Sequence, residues 1–397
     1  MPARLQSFAF TRRIAKKRDE GAEEQFMTQS SGAAPVIAMR GAGYYSENTV
    51  GAKAVIDAAG ELVMQALSEM DLAETSGPFA IADYGAADGG TSLDLMRRIV
   101  SELRAKGCHR QISITYTDLP HNDFSALFRL VHGHLGNQQG LPLGQQPGVM
   151  TFGSGTSFYR QILPDDTMSL GFSATAMHWL SRLPGPIADA VQAVGATELE
   201  RGAFREQSMA DWQTILLARA REMRPGAKLV LANFCEDEDG RYLGATGGIN
   251  MFTEFSRHWR AMRDGGMITG AEYRAATFPQ FYKTPAEFAQ PFIETGSPVA
   301  AAGLRLDHIS TRVTGCPYAA GFKRHGDPRA FAKAYIPTLR SWTESTFAGA
   351  LDKDRDATQR QSIVDSFYQA YEDAVAANPA GHAMDYVHCF MVVTKAT

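Results

Sequence analysis

The sequence predicts an α/β protein with a doubly wound, mostly parallel sheet, and three observations support that prediction. Short apolar segments of strand character alternate with amphipathic helical patterns along much of the 397-residue chain. A glycine-rich turn, Gly85 to Ser92, follows the first apolar segment and opens a helix. Helical patterns over residues 236–298 interrupt the alternation, which predicts a helical cap over the carboxyl ends of the strands.

The first β-α-β unit is the clearest part of the pattern. Apolar residues recur at helical spacing from Val55 to Met70, and the run Phe79 to Asp83 is typical of a short buried strand. Beyond the glycine-rich turn, the apolar positions from Leu93 to Leu103 indicate an amphipathic helix. The next strand, Ile112 to Tyr116, ends shortly before Asp118. Strand, helix and strand in this order predict a parallel pair.

The remaining elements extend this pattern. A helix over Asp211 to Arg224 is expected to stop at Pro225 and Gly226, because proline and glycine disfavour helix continuation. The cap pattern includes Phe278 and Phe281, which either line a substrate pocket or fill the cap's own core. The further predicted strands are Thr167 to Ser173, Lys228 to Phe234, Leu304 to Val313 and Tyr386 to Thr394. The predicted domains are a disordered tail (1–34), a core (35–235 and 299–397) and a helical cap (236–298).

The composition excludes several functional classes. Lys and Arg number 39 against 43 Asp and Glu, and a net charge of −4 leaves no basic surface for nucleic acid. The chain is 44% hydrophobic and 21% charged, as in ordinary globular proteins, without an apolar run that could span a membrane. The four cysteines are far apart in sequence and predict neither a zinc site nor disulfides, which indicates a cytoplasmic protein.

The turn after the first strand and the acid after the second form a candidate nucleoside site. Asp83 and Gly85 begin the turn, and a carboxylate at Asp118 suits the two hydroxyls of a ribose. The turn lacks both the G-x-G-x-x-G spacing and the Lys-Ser/Thr of a phosphate loop, which disfavours NAD and ATP. S-adenosylmethionine is the common nucleoside ligand without a phosphate chain, and a purely structural turn is the alternative.

Six segments along the chain match one known family in their order and approximate spacing. They are Met39 to Gly43 with Tyr45 to Asn48, Ile81 to Gly85, Thr117 to Phe124, Ser157 to Tyr159, His178 to Ser181 and Arg219 to Gly226. Together they resemble the SABATH carboxyl methyltransferases, whose plant members methylate salicylic, benzoic, jasmonic and indole-acetic acids. The resemblance implies the class I methyltransferase fold with a seven-stranded sheet, S-adenosylmethionine as cofactor, no required metal, and a homodimer.

The resemblance also implies roles for individual residues. Tyr45 and Asn48 would line the cofactor near its methyl group, and Asp83 and Gly85 would line its methionine part. Asp118 would bind the ribose, and Leu119, Ser157 and Phe158 would line the adenine. A carboxylate accepts hydroxyl donors and an aromatic face stacks on a purine, so each role is chemically reasonable.

At the reacting centre, the resemblance places Trp179 and His178 as catalytic and substrate-binding residues. The indole N–H of Trp179 would donate to the carboxylate of a small aromatic or dicarboxylic acid. An acid of pKa ~4 is already ionised at neutral pH, so its oxygen attacks the sulfonium methyl directly and forms a methyl ester. Orientation and the exclusion of water would then supply the catalysis.

The loop Ala86 to Thr91 and two positions near the substrate depart from the family pattern. The family's second carboxylate donor, a Gln seven residues after the Tyr that matches Tyr45, is Ala52, and the adjacent Lys53 either replaces it or is a solvated helix residue. Thr175 stands where the family has an aromatic residue, which predicts a larger or more polar pocket wall. Two alternative functions therefore stay open: N-methylation of a purine-like heterocycle, and a non-catalytic relative that only binds ligands.

Overall fold

A computed structural model describes residues 50–72, 77–136 and 140–397, and a mixed sheet of seven strands lies at its centre. The strands are β1 (Phe79–Tyr84), β2 (Ile112–Thr117), β3 (Val149–Ser154), β4 (Met168–Ala174), β5 (Met223–Phe234), β6 (Leu304–Thr314) and β7 (Tyr386–Lys395). Their order is β3-β2-β1-β4-β5-β7-β6. The first five strands are parallel, whereas β7 is antiparallel to β5 and β6. The predicted α/β class and mostly parallel sheet are confirmed.

Helices cover both faces of this sheet. They are α1 (Val50–Ser68), α2 (Leu93–Ala105), α3 (Phe124–Val131), α4 (Glu198–Glu222), α5 (Met251–Asp264), α6 (Gly270–Ala275), α7 (Pro285–Ile293), α8 (Pro298–Ala301), α9 (Pro317–His325), α10 (Pro328–Ala350) and α11 (Ala357–Ala377). Because strand side chains alternate, Ile81 packs in one buried cluster with α1 and α2, while Tyr84 packs in a second with Trp212 of α4. None of the described helices has the length and apolar character needed to cross a membrane.

Two local predictions differ from the structure. Helix α4 begins earlier than predicted, where the Thr197 and Glu200 side chains cap its first turn, and it ends at Glu222. The helix thus ends two residues earlier than predicted, and Pro225 and Gly226 lie inside β5, which begins at Met223. Strand β3 has no counterpart in the sequence prediction, because this edge strand carries polar residues and an exposed Phe152 in place of an apolar run.

The helical cap is larger than the sequence predicts. Helices α9 to α11 join β6 to β7, within the segment 299–397 that the sequence analysis assigned to the core. Their aromatic side chains nevertheless pack on the cap helix α5: the Phe255 and Phe367 rings stack with centroids 6.3 Å apart, and those of Trp259 and Phe347 lie 5.0 Å apart. The helices of both segments thus share one buried aromatic core.

Candidate active site

The acidic residues of the candidate nucleoside site lie at the carboxyl edge of the sheet. In the parallel register Asp83, near the end of β1, stands opposite Tyr116 of β2 and Phe172 of β4. Asp118 directly follows β2. This edge is where open α/β sheets bind their ligands.

The Asp83 carboxylate is buried, with 3% of the residue exposed, and it accepts a hydrogen bond of 2.6 Å from the Ser92 hydroxyl. Burial raises the pKa of Asp83 to about 7, the hydroxyl opposes that rise, and the nearby Asp118 charge adds to it. A cationic group in contact with Asp83 would favour its ionised form.

The loop after β1 is held in place by the motif that follows β2. Asp118 Oδ2 accepts from the Ala87 N–H at 2.8 Å, and Oδ1 accepts from the Leu119 N–H at 2.7 Å. The Asn122 amide donates to the Ala87 carbonyl at 2.7 Å. These two bonds to its peptide groups hold Ala87 in a left-handed conformation, φ +49°, which residues with a side chain rarely adopt. Burial raises the pKa of Asp118.

Gly85 brings this loop against the segment after β4. Its φ is +78°, and a Cβ placed there would lie 2.5 Å from the Ala176 Cβ. Its N–H donates to the Thr117 carbonyl at 2.9 Å. Glycine is therefore required here by both backbone conformation and space.

A buried ion pair holds the segment that carries Ser157 and Phe158. The Arg219 guanidinium donates to the Phe158 carbonyl at 2.9 Å and forms two bonds of 2.7 and 2.8 Å with the Glu222 carboxylate. Glu222 in turn accepts from the Ile162 N–H at 2.6 Å. Phe158 itself is half-buried. The segment is thus anchored from inside the protein while this ring stays accessible.

Trp179 lies after β4, three residues beyond the Ala176 that contacts Gly85. It forms an isolated antiparallel bridge with Gln280. The residue is 7% exposed, and its indole N–H has no acceptor among the described residues. The Gln280 amide nitrogen is buried and likewise unpartnered within the part of the chain that the structure describes.

His178 belongs to a wall of buried rings at the same edge. Its ring meets Phe234 edge to face at 4.8 Å, and Phe234 lies 4.3 Å from His388. His388 Nε2 is 3.0 Å from the Thr175 hydroxyl. Burial lowers the pKa of His178, and it lowers that of His388 to about 3, so both rings are neutral at physiological pH. Thr175 thus presents a hydroxyl to a polar and aromatic wall.

The other predicted substrate residues, Lys53, Phe278 and Phe281, have three different surroundings. Lys53 forms ion pairs with Asp57 at 3.2 Å and Asp94 at 2.9 Å, and its side chain is 41% exposed, as expected for a solvated helix residue. Phe278 is fully buried in the aromatic core of the cap. Phe281 packs in a separate cluster with Leu180, Ile187, Ala193 and Phe204. Phe278 nevertheless shares a buried cluster with Trp179, and the Phe281 N–H donates to the His178 carbonyl at 3.2 Å, so their contact with substrate stays a prediction. Tyr45 and Asn48 are outside the described residues.

Sequence reasoning missed three residues that shape this edge. Asn122 lies in a motif that was matched, but nothing in the sequence links it to Ala87. Gln280 follows an aromatic run without a recognisable pattern, and His388 is signalled only as a polar residue within an apolar strand. No group of three or more His, Cys, Asp or Glu suited to a metal occurs in residues 50–72, 77–136 and 140–397.

Comparisons with known proteins match this architecture. The chain is 26% identical over 234 residues to indole-3-acetate O-methyltransferase 1 of Oryza sativa subsp. japonica, an alignment covering 53% of this chain and 58% of the relative. It is 29% identical over 208 residues to loganic acid O-methyltransferase of Catharanthus roseus, covering 47% and 52%. The chain thus spans between half and three-fifths of these two relatives.

A solved structure of loganic acid methyltransferase with SAH superposes with a TM-score of 0.67. The superposition covers 90% of this chain and 99% of that one at 19% identity, which supports the fold. The family described as SAM dependent carboxyl methyltransferase matches residues 36–396. With nearly the whole chain matched, the protein belongs to the SAM dependent carboxyl methyltransferase family.

Proposed function

We propose that this protein transfers a methyl group from S-adenosylmethionine to the carboxylate of a small acid and forms a methyl ester. The observation that carries the proposal is that the Trp179 indole N–H has no acceptor among the described residues. Trp179 lies three residues after Ala176, which packs against Gly85. An indole only donates hydrogen bonds, so its preferred partner is an acceptor such as a carboxylate oxygen.

The residues at the ends of β1 and β2 fit S-adenosylmethionine. Burial, and to a smaller extent the Asp118 charge, raise the pKa of Asp83, and a cationic ligand would lower it again. The methionine part carries an ammonium group, and the ribose carries two hydroxyls. Each Asp118 oxygen accepts one backbone N–H and keeps a lone pair for a ribose hydroxyl. The half-buried ring of Phe158 would be available to stack on the adenine.

The protein's contribution is to orient and desolvate the acid. When bound, S-adenosylmethionine supplies an electrophilic methyl group on a sulfonium sulfur. Trp179 would hold one carboxylate oxygen, and the neutral rings of His178 and Phe234 would exclude water around it. No general base is needed, because the acid is already ionised at neutral pH.

The test is methyl transfer from labelled S-adenosylmethionine to indole-3-acetate, loganic acid, benzoate, a set of dicarboxylic acids and xanthine. Base-labile product on an acid is the expected result. Trp179→Phe keeps an aromatic ring but removes the N–H, and it should lower kcat/KM about 10- to 100-fold without changing affinity for S-adenosylhomocysteine. Asp118→Ala should abolish that affinity. Base-stable product on xanthine alone would replace ester formation by N-methylation.

We also propose that the protein works as a cytoplasmic homodimer. The four free, buried cysteines suit a reducing compartment. The dimer rests on the family resemblance, and sedimentation equilibrium of the purified protein tests it. A single species of monomer mass would refute it.

A further inference from the structure

The second donor to the substrate carboxylate is missing from the position where the family resemblance puts it. Ala52 is a buried apolar residue of α1, and the neighbouring Lys53 is engaged by two surface carboxylates, Asp57 and Asp94. The alanine side chain carries no N–H, and the Lys53 ammonium already binds two acidic partners. A carboxylate has two oxygens and is bound best by more than one donor.

A short ladder places Gln280 beside Trp179. The Leu180 N–H donates to the Pro279 carbonyl at 2.7 Å, and the Phe281 N–H donates to the His178 carbonyl at 3.2 Å. These two bonds lie on either side of Trp179 and Gln280, and none links the two residues directly. Trp179 and Gln280 are therefore a non-hydrogen-bonded pair of an antiparallel ladder. In such pairs the two side chains share one face, with Cβ atoms about 4.5–5.5 Å apart.

Only the oxygen of the Gln280 amide has a hydrogen-bond partner among the described residues. Its oxygen accepts a hydrogen bond from the Tyr282 hydroxyl at 3.1 Å. Its nitrogen is buried and has no partner among the described residues, although the residue is only 1% exposed. Buried donors are nearly always satisfied in folded proteins, so this amide nitrogen, directed by Tyr282 and paired in register with Trp179, is a candidate ligand contact.

We propose that Gln280 is the second carboxylate donor. Its Nε2–H and the Trp179 Nε1–H would bind the two oxygens of the acid, and Tyr282 would position the amide. This inference rests on the proposed function. In this protein the second donor would therefore lie in the segment before α7, and not on helix α1 where the family has it. Both donors would then belong to the same short antiparallel ladder. The substrate is then selected as an anion by residues that fold together.

The test compares Gln280→Met, Gln280→Glu and the control Lys53→Met, all in the full chain. The acid used is the one with the highest turnover among indole-3-acetate, loganic acid, benzoate and the dicarboxylic acids. Gln280→Met removes the donor at similar length and should lower kcat/KM about 10- to 100-fold. Gln280→Glu places a carboxylate beside the substrate anion and should lower it at least as much. Lys53→Met should stay within twofold of wild type.

A binding measurement separates substrate contact from a structural effect. Calorimetry on protein saturated with S-adenosylhomocysteine should show that Gln280→Met weakens binding of the acid more than binding of its methyl ester, because the neutral ester carbonyl is a weaker acceptor than a carboxylate. Equal loss for acid and ester, or wild-type kcat/KM in both Gln280 variants, would overturn the inference. If Gln280→Met fails to fold, the isosteric Gln280→Glu decides alone. If wild type esterifies none of the acids, the proposed function itself fails.

Discussion

The ion pair of Arg219 and Glu222 gives the sharpest prediction about stability. Both side chains are fully buried, and Arg219 also binds the Phe158 and Arg160 carbonyls at 2.9 and 2.8 Å. Arg219→Met would leave a buried carboxylate without its cation, which costs about 3–5 kcal/mol of unfolding free energy. Because the same guanidinium holds the segment with Phe158, we expect affinity for S-adenosylhomocysteine to fall as well.

The magnitude follows from what remains around Glu222. The Tyr84 hydroxyl, at 2.5 Å, and the Ile162 N–H still donate to this carboxylate, so charge rather than hydrogen bonding is left uncompensated. Glu222→Gln alone leaves the buried Arg219 cation without a negatively charged partner. In the double variant, Arg219→Met with Glu222→Gln, neither charge remains. We therefore expect the double variant to be about 2 kcal/mol more stable than the sum of the single losses predicts.

Urea denaturation of the wild type, the two single variants and the double variant measures this coupling. Equal m-values would show that the unfolded states are comparable. Additive losses, or single variants that lose under about 1 kcal/mol, would refute the reasoning that a buried charge pair fixes this segment.

Two further predictions concern the same edge of the sheet. His388 has a pKa of about 3 in the folded protein and about 6.5 when unfolded, so the unfolded state takes up its proton first as pH falls. The unfolding free energy should therefore drop between pH 6.5 and pH 3, by up to about 1.4 kcal/mol per pH unit, and His388→Gln should flatten that slope in urea titrations at several pH values. Gly85→Ala combines a φ of +78° with a Cβ only 2.5 Å from Ala176, so it should cost more than about 2 kcal/mol and weaken S-adenosylhomocysteine binding. Its control, Gly107→Ala, has the same φ but no atom within 4 Å and should cost about 1 kcal/mol, and equal losses at the two glycines would contradict the steric argument.

The sequence predicted six of the seven strands. β1, β2, β4 and β7 lie close to their predicted bounds, because burial of an inner strand demands a continuous apolar run, whereas β5 begins at Met223, five residues before its predicted start. β6 also lies close to its predicted bounds, although it is an edge strand in which apolar and polar residues alternate. β3, the other edge strand, is shorter and carries the exposed Phe152 and Gly153, and it was missed. Helices α9 to α11 were given to the core because no local pattern reveals which layer an apolar helix face meets.

In the candidate site, too, some residues could be predicted from the sequence and others could not. Asp83, Gly85 and Asp118 follow successive strands of one unit, so their proximity is expected from local order alone. The pairing of Trp179 with Gln280 joins segments about a hundred residues apart, and no spacing rule reaches that far. The buried Arg219 and Glu222 were likewise part of a recognised segment, but their partners on the Phe158 segment emerge only from tertiary contacts.

The aromatic core shared by the two helical segments determines how this protein can be recombined with its relatives. Phe255 and Trp259 come from the segment between β5 and β6, while Phe347 and Phe367 come from the segment between β6 and β7. A chimera that exchanged one segment alone would face foreign side chains across a closely packed interface. A chimera designed to change substrate preference should therefore replace both segments together, although a strand separates them in the sequence.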